Sequence, residues 1–363
     1  MAGLSRPATP QQVTAAWLNQ ALHASGIIEP HVEVGSVRRE SLGGGTGVFG
    51  TLARLVVDYT EPNSGPTNMV LKLPTSAPEN KQVGLALGLY VREGQYFALM
   101  ADRTPVNSVG CYYNDMDIAA GEFVLILEEI RDMEVGQQTA GATIPQLEIA
   151  LRELAKFHAA WWKHPDLPKM DWLPRNDSPA NLAVVPGIMQ GAMTVVERDW
   201  GGVIGQDAVN LGKQLAAQFD TIIKRTGEVA HTMCHGDARL ENMFFNADAT
   251  KMKFIDFQLV IHASPAQDVA YLMGSSCDNA LWDQHGMRLL KMYYDALIAA
   301  GVGDYSWDQF WYEFRLNALW AVAAPASMVG TFDVGDDNGK LLAHKWMERG
   351  WYIPMATNAR EIL

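Results

Sequence analysis

The densest group of side chains that could perform chemistry lies in HGDARLENMFF, residues 235–245, and continues in FIDFQ, residues 254–258. Asp237 is followed by Asn242 and, after a short interval, by Asp256. Carboxylate and amide oxygens are ligands that hard cations such as Mg²⁺ accept, and a carboxylate can also take a proton from an attacking hydroxyl. Two alternatives follow: a polar loop without a function, or a site that holds metal ions and a phosphate.

The strands on either side of this group predict its geometry. NMFFN (242–246) and MKFID (252–256) have the composition of short strands, and five residues join them. An antiparallel hairpin with this turn places Asn242 opposite Asp256, with Cβ atoms ~4.5–5.5 Å apart. We therefore expect Asn242 and Asp256 to share Mg²⁺. Asp237, one loop turn away, is the expected catalytic base for phosphoryl transfer.

His235 is a second candidate for a base, but it precedes the turn of the motif. We interpret it as a structural hydrogen-bonding residue. A metallohydrolase built on His235, Asp237 and Asp256 is a further alternative. It leaves two upstream features without a role, namely a glycine-rich segment and a lysine in an apolar strand.

The glycine-rich segment is LGGGTGVFG, residues 42–50, which fits a GxGxxG pattern. A dinucleotide-binding fold requires a helix directly afterwards, and a P-loop requires Gly-Lys-Ser/Thr. The following residues, TLARLVVDY (51–59), have the composition of a strand instead. Kinases place a glycine loop between two strands to cover the ATP phosphates, whereas the alternative is a flexible hairpin turn. Under the kinase interpretation, the residues that bind the nucleotide are Gly43, Gly44, Gly45, Thr46 and Gly47.

Lys72 lies among apolar residues in MVLKLP, residues 69–74. A lysine on such a strand is costly unless it is paired or reaches water. In a kinase, a lysine on the third strand neutralises the ATP phosphates, and a glutamate on the next helix holds it. Glu93 is the only carboxylate between residues 80 and 100, so we expect it to be that partner. The alternative is an edge-strand lysine that extends to solvent.

Composition excludes several classes of protein. The 363 residues include 28 Lys and Arg against 41 Asp and Glu, for a net charge of −13, which argues against non-specific nucleic-acid binding. The three cysteines form no CxxC pair, which argues against a disulfide framework or a zinc site. The N-terminus lacks the pattern of a secretion signal, and no uninterrupted apolar run of ~18 residues predicts a membrane span. We expect a cytoplasmic protein.

The elements that must position these residues change in character near residue 130. Strand and helix signals alternate before this point, and helical periodicity dominates after it. This pattern predicts an α+β fold with a small antiparallel-sheet lobe at residues 1–130 and a larger, mainly helical lobe at residues 131–363. The first lobe is expected to bind nucleotide, and the second to carry the catalytic residues and the acceptor site. Predicted strands lie at 32–41, 51–59 and 67–74 and in VGCYYND and GEFVLILEEI, and predicted helices lie at 10–25, 80–100, 206–225, 281–300, 307–324 and 338–349.

At these residues the chain resembles the aminoglycoside phosphotransferase and choline-kinase-like group, and within it the ecdysteroid-kinase-like branch. The resemblance is carried by HGDARLENMFF, FIDFQ, SPAQDVAYL and LRELAKFHAAWW. It extends in order over most of the chain, from about residue 10 to about residue 330. It implies a bilobal protein-kinase-like fold and ATP-dependent transfer of a phosphoryl group, with Mg²⁺.

The resemblance also implies roles for individual residues. Asp237 is implied as the base, Lys72 as the residue on the phosphates, and Glu93 as its partner. Asn242 and Asp256 are implied as the Mg²⁺ ligands. Further implied residues are the hinge at Glu128, Glu129 and Ile130, whose backbone would meet adenine, and Asp268, which would brace the catalytic loop.

Two departures bear on the acceptor. Gln258 stands where the Asp-Phe-Gly motif of protein kinases has glycine, and SPAQDVAYL follows Asp256 within eight residues. This leaves little room for a peptide-binding platform, so the expected acceptor is a small-molecule hydroxyl.

The late helices hold the remaining clues to the acceptor. Six of the eleven tryptophans follow residue 280: Trp282, Trp307, Trp311, Trp320, Trp346 and Trp351. An aromatic lining would suit an apolar alcohol, sterol-like or hydroxyacyl compound, and the alternative is packing in helix cores. A polycationic aminoglycoside would need acidic residues, for which the candidates are Asp333, Asp336 and Asp337. Besides the small-molecule kinase, the alternatives are a non-catalytic nucleotide-binding or ligand-sequestering protein and an aminoglycoside-modifying resistance kinase.

Overall fold

The computed structural model describes residues 4–46, 49–118, 120–331 and 335–363. They form two compact units. The N-terminal unit contains the described residues up to Arg103, with Ser108–Asp132 and Asp256–Leu259. The C-terminal unit contains Thr104–Asn107, Met133–Ile255 and Val260–Leu363. The first unit holds an antiparallel sheet and the second is mostly helical, so the predicted α+β class is confirmed.

The N-terminal unit is built on a five-stranded antiparallel sheet with the order β1-β2-β3-β5-β4. The strands are β1 (Val34–Thr46), β2 (Gly50–Tyr59), β3 (Asn68–Pro74), β4 (Cys111–Asp117) and β5 (Glu122–Glu128). The α-helices of this unit are α1 (Ala15–Ala24), α2 (Pro78–Ala86) and α3 (Leu89–Gln95). Shorter helical turns lie at Pro10–Gln12, Tyr96–Met100, Ala101–Arg103 and Phe257–Leu259.

Alternation along the strands gives this sheet an apolar face. Ala53, Leu55 and Val57 on β2 join a core cluster with Trp17 and Leu18 of α1. Because side chains alternate along a strand, the intervening residues lie on the opposite face. That second face carries Lys72.

The helix predicted over residues 80–100 is interrupted. Gly88 has φ +66°, in the left-handed region, and separates α2 from α3. Glycine adopts this conformation without a steric penalty because it has no Cβ. The prediction of one continuous helix is therefore wrong, although α3 still carries Glu93 towards the sheet.

The C-terminal unit surrounds two small sheets with helices, β6-β8-β9 and β10-β7. The strands are β6 (Glu134–Val135), β7 (Thr232–Cys234), β8 (Met243–Phe245), β9 (Met252–Phe254) and β10 (Ile261–Ala263). The α-helices are α4 (Ile144–Ala160), α5 (Pro179–Val195), α6 (Gly201–Ile204), α7 (Gln206–Ala217), α8 (Phe219–Glu228), α9 (Ala266–Ser276), α10 (Asn279–Ala299), α11 (Trp307–Ala321), α12 (Ala323–Thr331) and α13 (Asp337–Ala356). Shorter turns lie at Leu167–Lys169, Val196–Trp200, Leu240–Asn242 and Ala359–Ile362.

The hairpin of β8 and β9 differs from the prediction by one residue. Its ladder pairs Met243 with Phe254, and the N–H of Ile255 donates to the carbonyl of Asn242 at 3.0 Å. The register therefore places Ile255, not Asp256, opposite Asn242, and the predicted direct pairing of Asn242 with Asp256 is wrong.

The cause of this shift lies in the turn. The Oδ1 of Asn246 accepts the N–H of Lys251 at 2.8 Å, and its Nδ2 donates to Thr250 at 3.0 Å. A side-chain amide that binds nearby backbone competes with a strand ladder. Asn246 therefore belongs to the turn rather than to the strand, and the turn is one residue longer than predicted.

One helical stretch, Pro179–Ile204, is long and apolar enough to cross a membrane by length and composition. The core helix of a soluble protein meets the same criterion, and Met189, Ala192 and Val196 of this stretch pack in the hydrophobic core. The stretch is therefore weak evidence for a membrane span, and the expectation that the chain has none stays a prediction.

A buried arginine ties the late helices of the C-terminal unit together. Arg349 on α13 is 1% exposed. It donates to the carbonyls of Gln138, Thr139 and Ser275 at 2.6, 3.2 and 3.3 Å, and its Nε donates to Asp278 at 2.8 Å. The carbonyl of Ser275 lies in the last turn of α9, where a cation also complements the helix dipole.

We predict that Arg349→Met lowers the free energy of unfolding by about 3 kcal/mol, because buried carbonyls lose their donors. Lys345→Met on the same helix is the control, because Lys345 forms a half-buried pair with Glu348 at 3.0 Å and makes no contact with a buried carbonyl among the hydrogen bonds of the described residues; that change is expected to cost less than about 1 kcal/mol. Urea denaturation of both variants measures the difference. Equal losses would show that Arg349 is not a structural tie.

Candidate active site

Lys72 of β3 is held between two carboxylates in the N-terminal unit. Its Nζ lies 2.7 Å from Glu93 Oε2 and 2.8 Å from Asp256 Oδ1. The lysine is 8% exposed and Glu93 is 1% exposed. Burial alone would lower the pKa of Lys72, but the charges of Asp256 and Glu93 raise it above its ordinary value. The ammonium is therefore permanently charged at neutral pH.

The pKa of Glu93 is also raised, but in this case burial contributes to the increase. Burial and the charge of Asp256 raise the pKa of Glu93 to about 6, against the lowering effect of Lys72. The position of Glu93 follows from α3, which packs beside the turn at Phe257–Leu259. Tyr96 stacks on Phe257 with ring centroids 3.8 Å apart. These contacts fix α3 against the segment that carries Asp256.

Asp256 has an unusual backbone conformation. Its φ is +63°, in the left-handed region. Such a conformation is uncommon outside glycine, although aspartate adopts it more readily than most residues. Its Oδ1 faces Lys72, and the amide of Gln258 donates to its Oδ2 at 3.3 Å. The strained backbone thus directs the carboxylate of Asp256 towards Lys72.

The structure describes part of the glycine-rich segment at residues 42–50. Gly43, Gly44, Gly45 and Thr46 belong to the end of β1, whose pairing with β2 is irregular between Ser41 and Thr46. Gly47 lies outside the described residues.

The predicted hinge residues begin at Glu128, the last residue of β5. The N–H of Glu128 donates to the carbonyl of Gly110 at 2.8 Å, and its Oε2 accepts the N–H of Gly110 at 3.0 Å. Glu129 pairs with Arg54 of β2 at 2.6 Å. Ile130 is half-buried. The hinge side chains are thus anchored to the rest of the N-terminal unit.

Asp237 lies in the C-terminal unit, after β7, and is 6% exposed. Asn242 donates its Nδ2 to the carboxylate Oδ2 of Asp237 at 2.7 Å and to the carbonyl of Asp237 at 2.9 Å. Both amide hydrogens of Asn242 are used in this way, so its oxygen is the atom left to face a cation. Asp237 Oδ1 is buried and accepts no hydrogen bond of standard geometry from the described residues.

Three neighbours of Asp237 are not predicted from the motif. The Nε of Arg239 lies 3.3 Å from Asp237 Oδ1, and its Nη1 pairs with Glu241. The guanidinium of Arg239 lies 6.0 Å from the ring centroid of Trp346, and Trp346 packs edge-on to Tyr271 at 6.0 Å. Burial, and then the charge of Asp237, raise the pKa of Tyr271 well above its ordinary value. Arg239 and Tyr271 thus lie next to the carboxylate of Asp237, and Trp346 packs beside both of them.

Asp268 braces the backbone before Asp237. Its Oδ2 accepts the N–H of His235 at 2.7 Å and its Oδ1 accepts the N–H of Gly236 at 2.9 Å. Its Oδ2 also lies 3.1 Å from His158 Nε2. Burial alone would raise the pKa of Asp268, but the hydrogen bonds and charge of His158 and the N–H of Gly236 hold it below its ordinary value. Gly236 has φ +82°, which explains a glycine between His and Asp.

His235 has a structural contact. Its ring Nε2 lies 3.0 Å from the carbonyl of Ile255, and the residue is 1% exposed. This contact links the segment before Asp237 to the end of β9, and it agrees with the interpretation of His235 as a structural residue.

The acceptor candidates divide into two groups. Trp282 and Trp351 are buried, and Trp311 stacks on Phe314, so these three contribute to packing. Trp346 lies beside Arg239, near Asp237. Asp336 caps α13 by accepting the N–H of Gly339 at 3.0 Å, Asp337 pairs with Lys340 at 3.7 Å, and Asp333 lies outside the described residues.

The described residues fit the cofactors that the motifs imply. Asp256 and Asn242 offer a carboxylate and an amide oxygen, which are donors that Mg²⁺ accepts. The buried ammonium of Lys72 suits a phosphate oxygen.

Comparison with models of protein families supports the kinase interpretation of the motifs. The model of the ecdysteroid kinase-like family matches residues 45–301, which is more than half of the 363 residues. The chain belongs to the ecdysteroid kinase-like family. The matched residues include Lys72, Glu93, Asp237, Asn242 and Asp256. No curated protein sequence is significantly similar to this family member.

Solved structures share the fold of this ecdysteroid kinase-like protein. A choline kinase from Cryptosporidium parvum has a TM-score of 0.54 at 10% identity, covering 94% of both chains. The GDP complex of aminoglycoside 2'-phosphotransferase-IIIa has a TM-score of 0.52 at 16% identity, covering 94% of this chain and 99% of the other. An ethanolamine kinase from Plasmodium vivax has a TM-score of 0.51 at 10% identity, covering 94% of this chain and 87% of the other. The kinase-like fold is thereby established.

We predict that Asp268→Asn lowers the free energy of unfolding by about 3 kcal/mol at pH 7, because an amide cannot replace the charged acceptor of two backbone N–H groups. The pKa of Asp268 is lowered on folding, so its contribution is present above the unfolded pKa of about 4 and is lost as the pH falls through the folded pKa. The difference between variant and wild type should therefore shrink in acid.

Urea denaturation at several pH values measures this difference. Asp308→Asn, an exposed position in the first turn of α11, is the control and is expected to cost less than about 1 kcal/mol, the loss of its interaction with the helix dipole. A difference for Asp268→Asn that stays constant from pH 7 to pH 3 would contradict the prediction.

Proposed function

We propose that the chain is an ATP-dependent phosphotransferase that moves the γ-phosphoryl group to a hydroxyl of a small molecule. Asp237 is the base, Lys72 contacts the phosphates, and Asn242 and Asp256 hold Mg²⁺. Residues 1–130 form the nucleotide-binding lobe. In this lobe, Gly43 to Gly47 lie over the phosphates, and the backbone of Glu128 to Ile130 contacts the adenine of the nucleotide. Residues 131–363 form the catalytic and acceptor-binding lobe.

The observation that carries this proposal is the environment of Asp237. Asn242 fixes one carboxylate oxygen at 2.7 Å, while the other oxygen is buried and lies 3.3 Å from Arg239 Nε without a hydrogen bond of standard geometry. A buried acceptor without a well-directed hydrogen bond gains from an added donor. An acceptor hydroxyl would donate to that oxygen, and this contact is what a base requires in order to orient a nucleophile and take its proton.

The second part of the proposal concerns charge. Phosphoryl transfer needs cations on the phosphate oxygens because the protein has little covalent chemistry to perform. Lys72 supplies a fixed positive charge, since Glu93 and Asp256 keep its ammonium in place at 2.7 and 2.8 Å. Mg²⁺, when bound, would neutralise further charge on the phosphates. The nucleotide complex of a structural relative supports a nucleotide as donor.

The side chains near Asp237 favour a particular class of acceptor. The guanidinium of Arg239 lies 3.3 Å from the carboxylate of Asp237 and also pairs with Glu241, so these two carboxylates are already engaged and are less available to the ammonium groups of a polycationic aminoglycoside. Tyr271 and Trp346 offer aromatic surface. The described part of the acidic segment after α12 is engaged in capping and pairing α13 through Asp336 and Asp337. We therefore favour an apolar alcohol, sterol-like or hydroxyacyl compound as acceptor.

The cellular setting proposed is the cytoplasm. The three cysteines, Cys111, Cys234 and Cys277, are unpaired. Free thiols persist in a reducing compartment, and burial raises the pKa of the Cys234 thiol well above its ordinary value, so it is inert.

We predict that Asp237→Asn lowers phosphoryl transfer by about 10²–10⁴-fold, because an amide cannot accept the proton, while nucleotide binding is retained. The assay incubates the protein with Mg·ATP and a pool of hydroxylated metabolites, and mass spectrometry detects the gain of one phosphoryl group. The pool contains sterols, apolar alcohols, hydroxyacyl thioesters, choline-like amines and aminoglycosides.

Asp248→Asn is the matched control, because Asp248 is exposed in the turn of the same hairpin. It should keep full activity. Unchanged transfer in the Asp237→Asn variant would sink the assignment of the base. A wild-type protein that binds ATP but labels no pool member would favour the non-catalytic alternative.

We also predict that Lys72→Met lowers the rate of ATP turnover by about 10²–10³-fold, because a preorganised charge on the phosphates is lost. Lys251→Met removes an exposed lysine and is expected to have no effect. Acceptor-independent ATP hydrolysis measures both variants. Wild-type hydrolysis by Lys72→Met would contradict the proposed contact between Lys72 and phosphate.

A further inference from the structure

The sheet of the N-terminal unit has a second face with a distinct composition. Cross-strand partners lie on the same face of an antiparallel sheet. Arg54 pairs with Val70 and Val70 with Leu127, while Leu52 pairs with Lys72. Since residues two apart along a strand share a face, all five lie on the face opposite the one that packs on α1.

Charged and apolar side chains occupy different positions along the strands on this face. Lys72, with its fixed positive charge, lies in one row, and Arg54 lies in the neighbouring row, about 7 Å away along the strand. Leu52 and Val70, between these charges, are half-buried rather than buried. A ligand with a flat apolar group can therefore contact Leu52 and Val70. Its anionic groups would then lie at Lys72, and the polar edge of its flat group would lie near Arg54.

The polar edge is formed by an ion pair. Arg54 Nε lies 2.6 Å from Glu129 Oε1, and its Nη1 lies 3.3 Å from Glu40 Oε2. The two carboxylates differ in burial: the side chain of Glu129 is 10% exposed, whereas that of Glu40 is 41% exposed. The hydrogen bonds to Glu129 and Glu40 raise the pKa of Arg54.

Glu129 has one oxygen without a partner. Its Oε2 is buried and accepts no hydrogen bond from the described residues. The charge of Glu129 is paired with Arg54, but a buried oxygen that lacks a donor still costs about 1–3 kcal/mol. Arg54 fixes the other oxygen, so Oε2 is held in position for a donor supplied from outside the chain.

We propose that Glu129, held by Arg54, recognises the nucleobase through its side chain: Oε2 accepts a hydrogen bond from an exocyclic amino group of a purine. This inference rests on the proposed function, because it requires a nucleotide on the Lys72 face of the sheet. The amino group is a donor shared by adenine, at position 6, and guanine, at position 2. Glu129 is thus a specificity-determining residue.

The test is a comparison of nucleotides that differ by one amino group. Titration calorimetry with the full chain and Mg²⁺ compares ATP with purine riboside triphosphate, which lacks the 6-amino group, and GTP with inosine triphosphate, which lacks the 2-amino group. For one of these pairs, loss of the amino group should weaken binding by about tenfold, as expected for a hydrogen bond to a charged acceptor. The pair that responds identifies the base.

Three variants separate this role from a structural one. Glu129→Ala should bind both members of the responding pair with equal affinity, and Glu129→Gln, which keeps the size of the side chain, should show a reduced ratio. Glu40→Ala removes the other carboxylate on Arg54 and should keep the tenfold ratio. Thermal unfolding verifies that each variant is folded.

The possible results are distinguishable. A wild-type ratio near one for both pairs, or a tenfold ratio that survives in Glu129→Ala, overturns the role of Glu129 while leaving the proposed function intact. Failure of folded wild-type protein to bind any of the four nucleotides overturns the proposed function itself.

Discussion

A charged group that is removed from water needs nearby groups of opposite charge or hydrogen-bond partners. In the N-terminal unit, this charged group is the buried ammonium of Lys72. Two carboxylates surround it, from α3 and from the segment after β9. Their positions depend on other features: Gly88 ends α2 so that α3 can take its own direction, and Asp256 adopts a left-handed conformation. Breaking such a pair typically costs about 3–5 kcal/mol. The positions of the charged groups around Lys72 therefore depend on contacts elsewhere in the N-terminal unit.

The C-terminal unit meets the same requirement with a different chemistry. Asp268 is completely buried and is compensated by two backbone N–H groups and by His158, not by a lysine or arginine. This arrangement fixes a backbone segment rather than a side chain. The segment leads directly to Asp237, so the carboxylate proposed as base is oriented before any substrate binds. Preorganisation of this kind is the main source of rate enhancement in polar active sites.

Part of this arrangement could be predicted from the sequence. The predictions that were wrong, and the contacts that were not predicted, have physical explanations. Residue types and spacing located Lys72, Glu93 and Asp237, since an isolated lysine in an apolar strand demands a partner. The hairpin register was wrong by one residue because Asn246 satisfies its own turn, a local competition that strand composition does not show. Arg239 was missed as a neighbour of the base. Its packing on Trp346 of α13 joins segments over 100 residues apart, and no periodicity encodes that contact.

Several buried polar atoms of the described residues lack a hydrogen bond of standard geometry, and two of them belong to carboxylates that the proposals use. Asp237 Oδ1 and Glu129 Oε2 are buried acceptors without standard hydrogen bonds from the described residues, although each carboxylate has its other oxygen held by a neighbour. A buried acceptor that lacks a well-directed hydrogen bond typically costs about 1–3 kcal/mol, and the cost at Asp237 Oδ1 is reduced by the ion pair with Arg239 at 3.3 Å. A ligand that supplies the donors removes that cost and thereby binds more tightly to the folded state than to the unfolded one. Under the two proposals, Asp237 Oδ1 receives its donor from an acceptor hydroxyl and Glu129 Oε2 receives its donor from a nucleotide base.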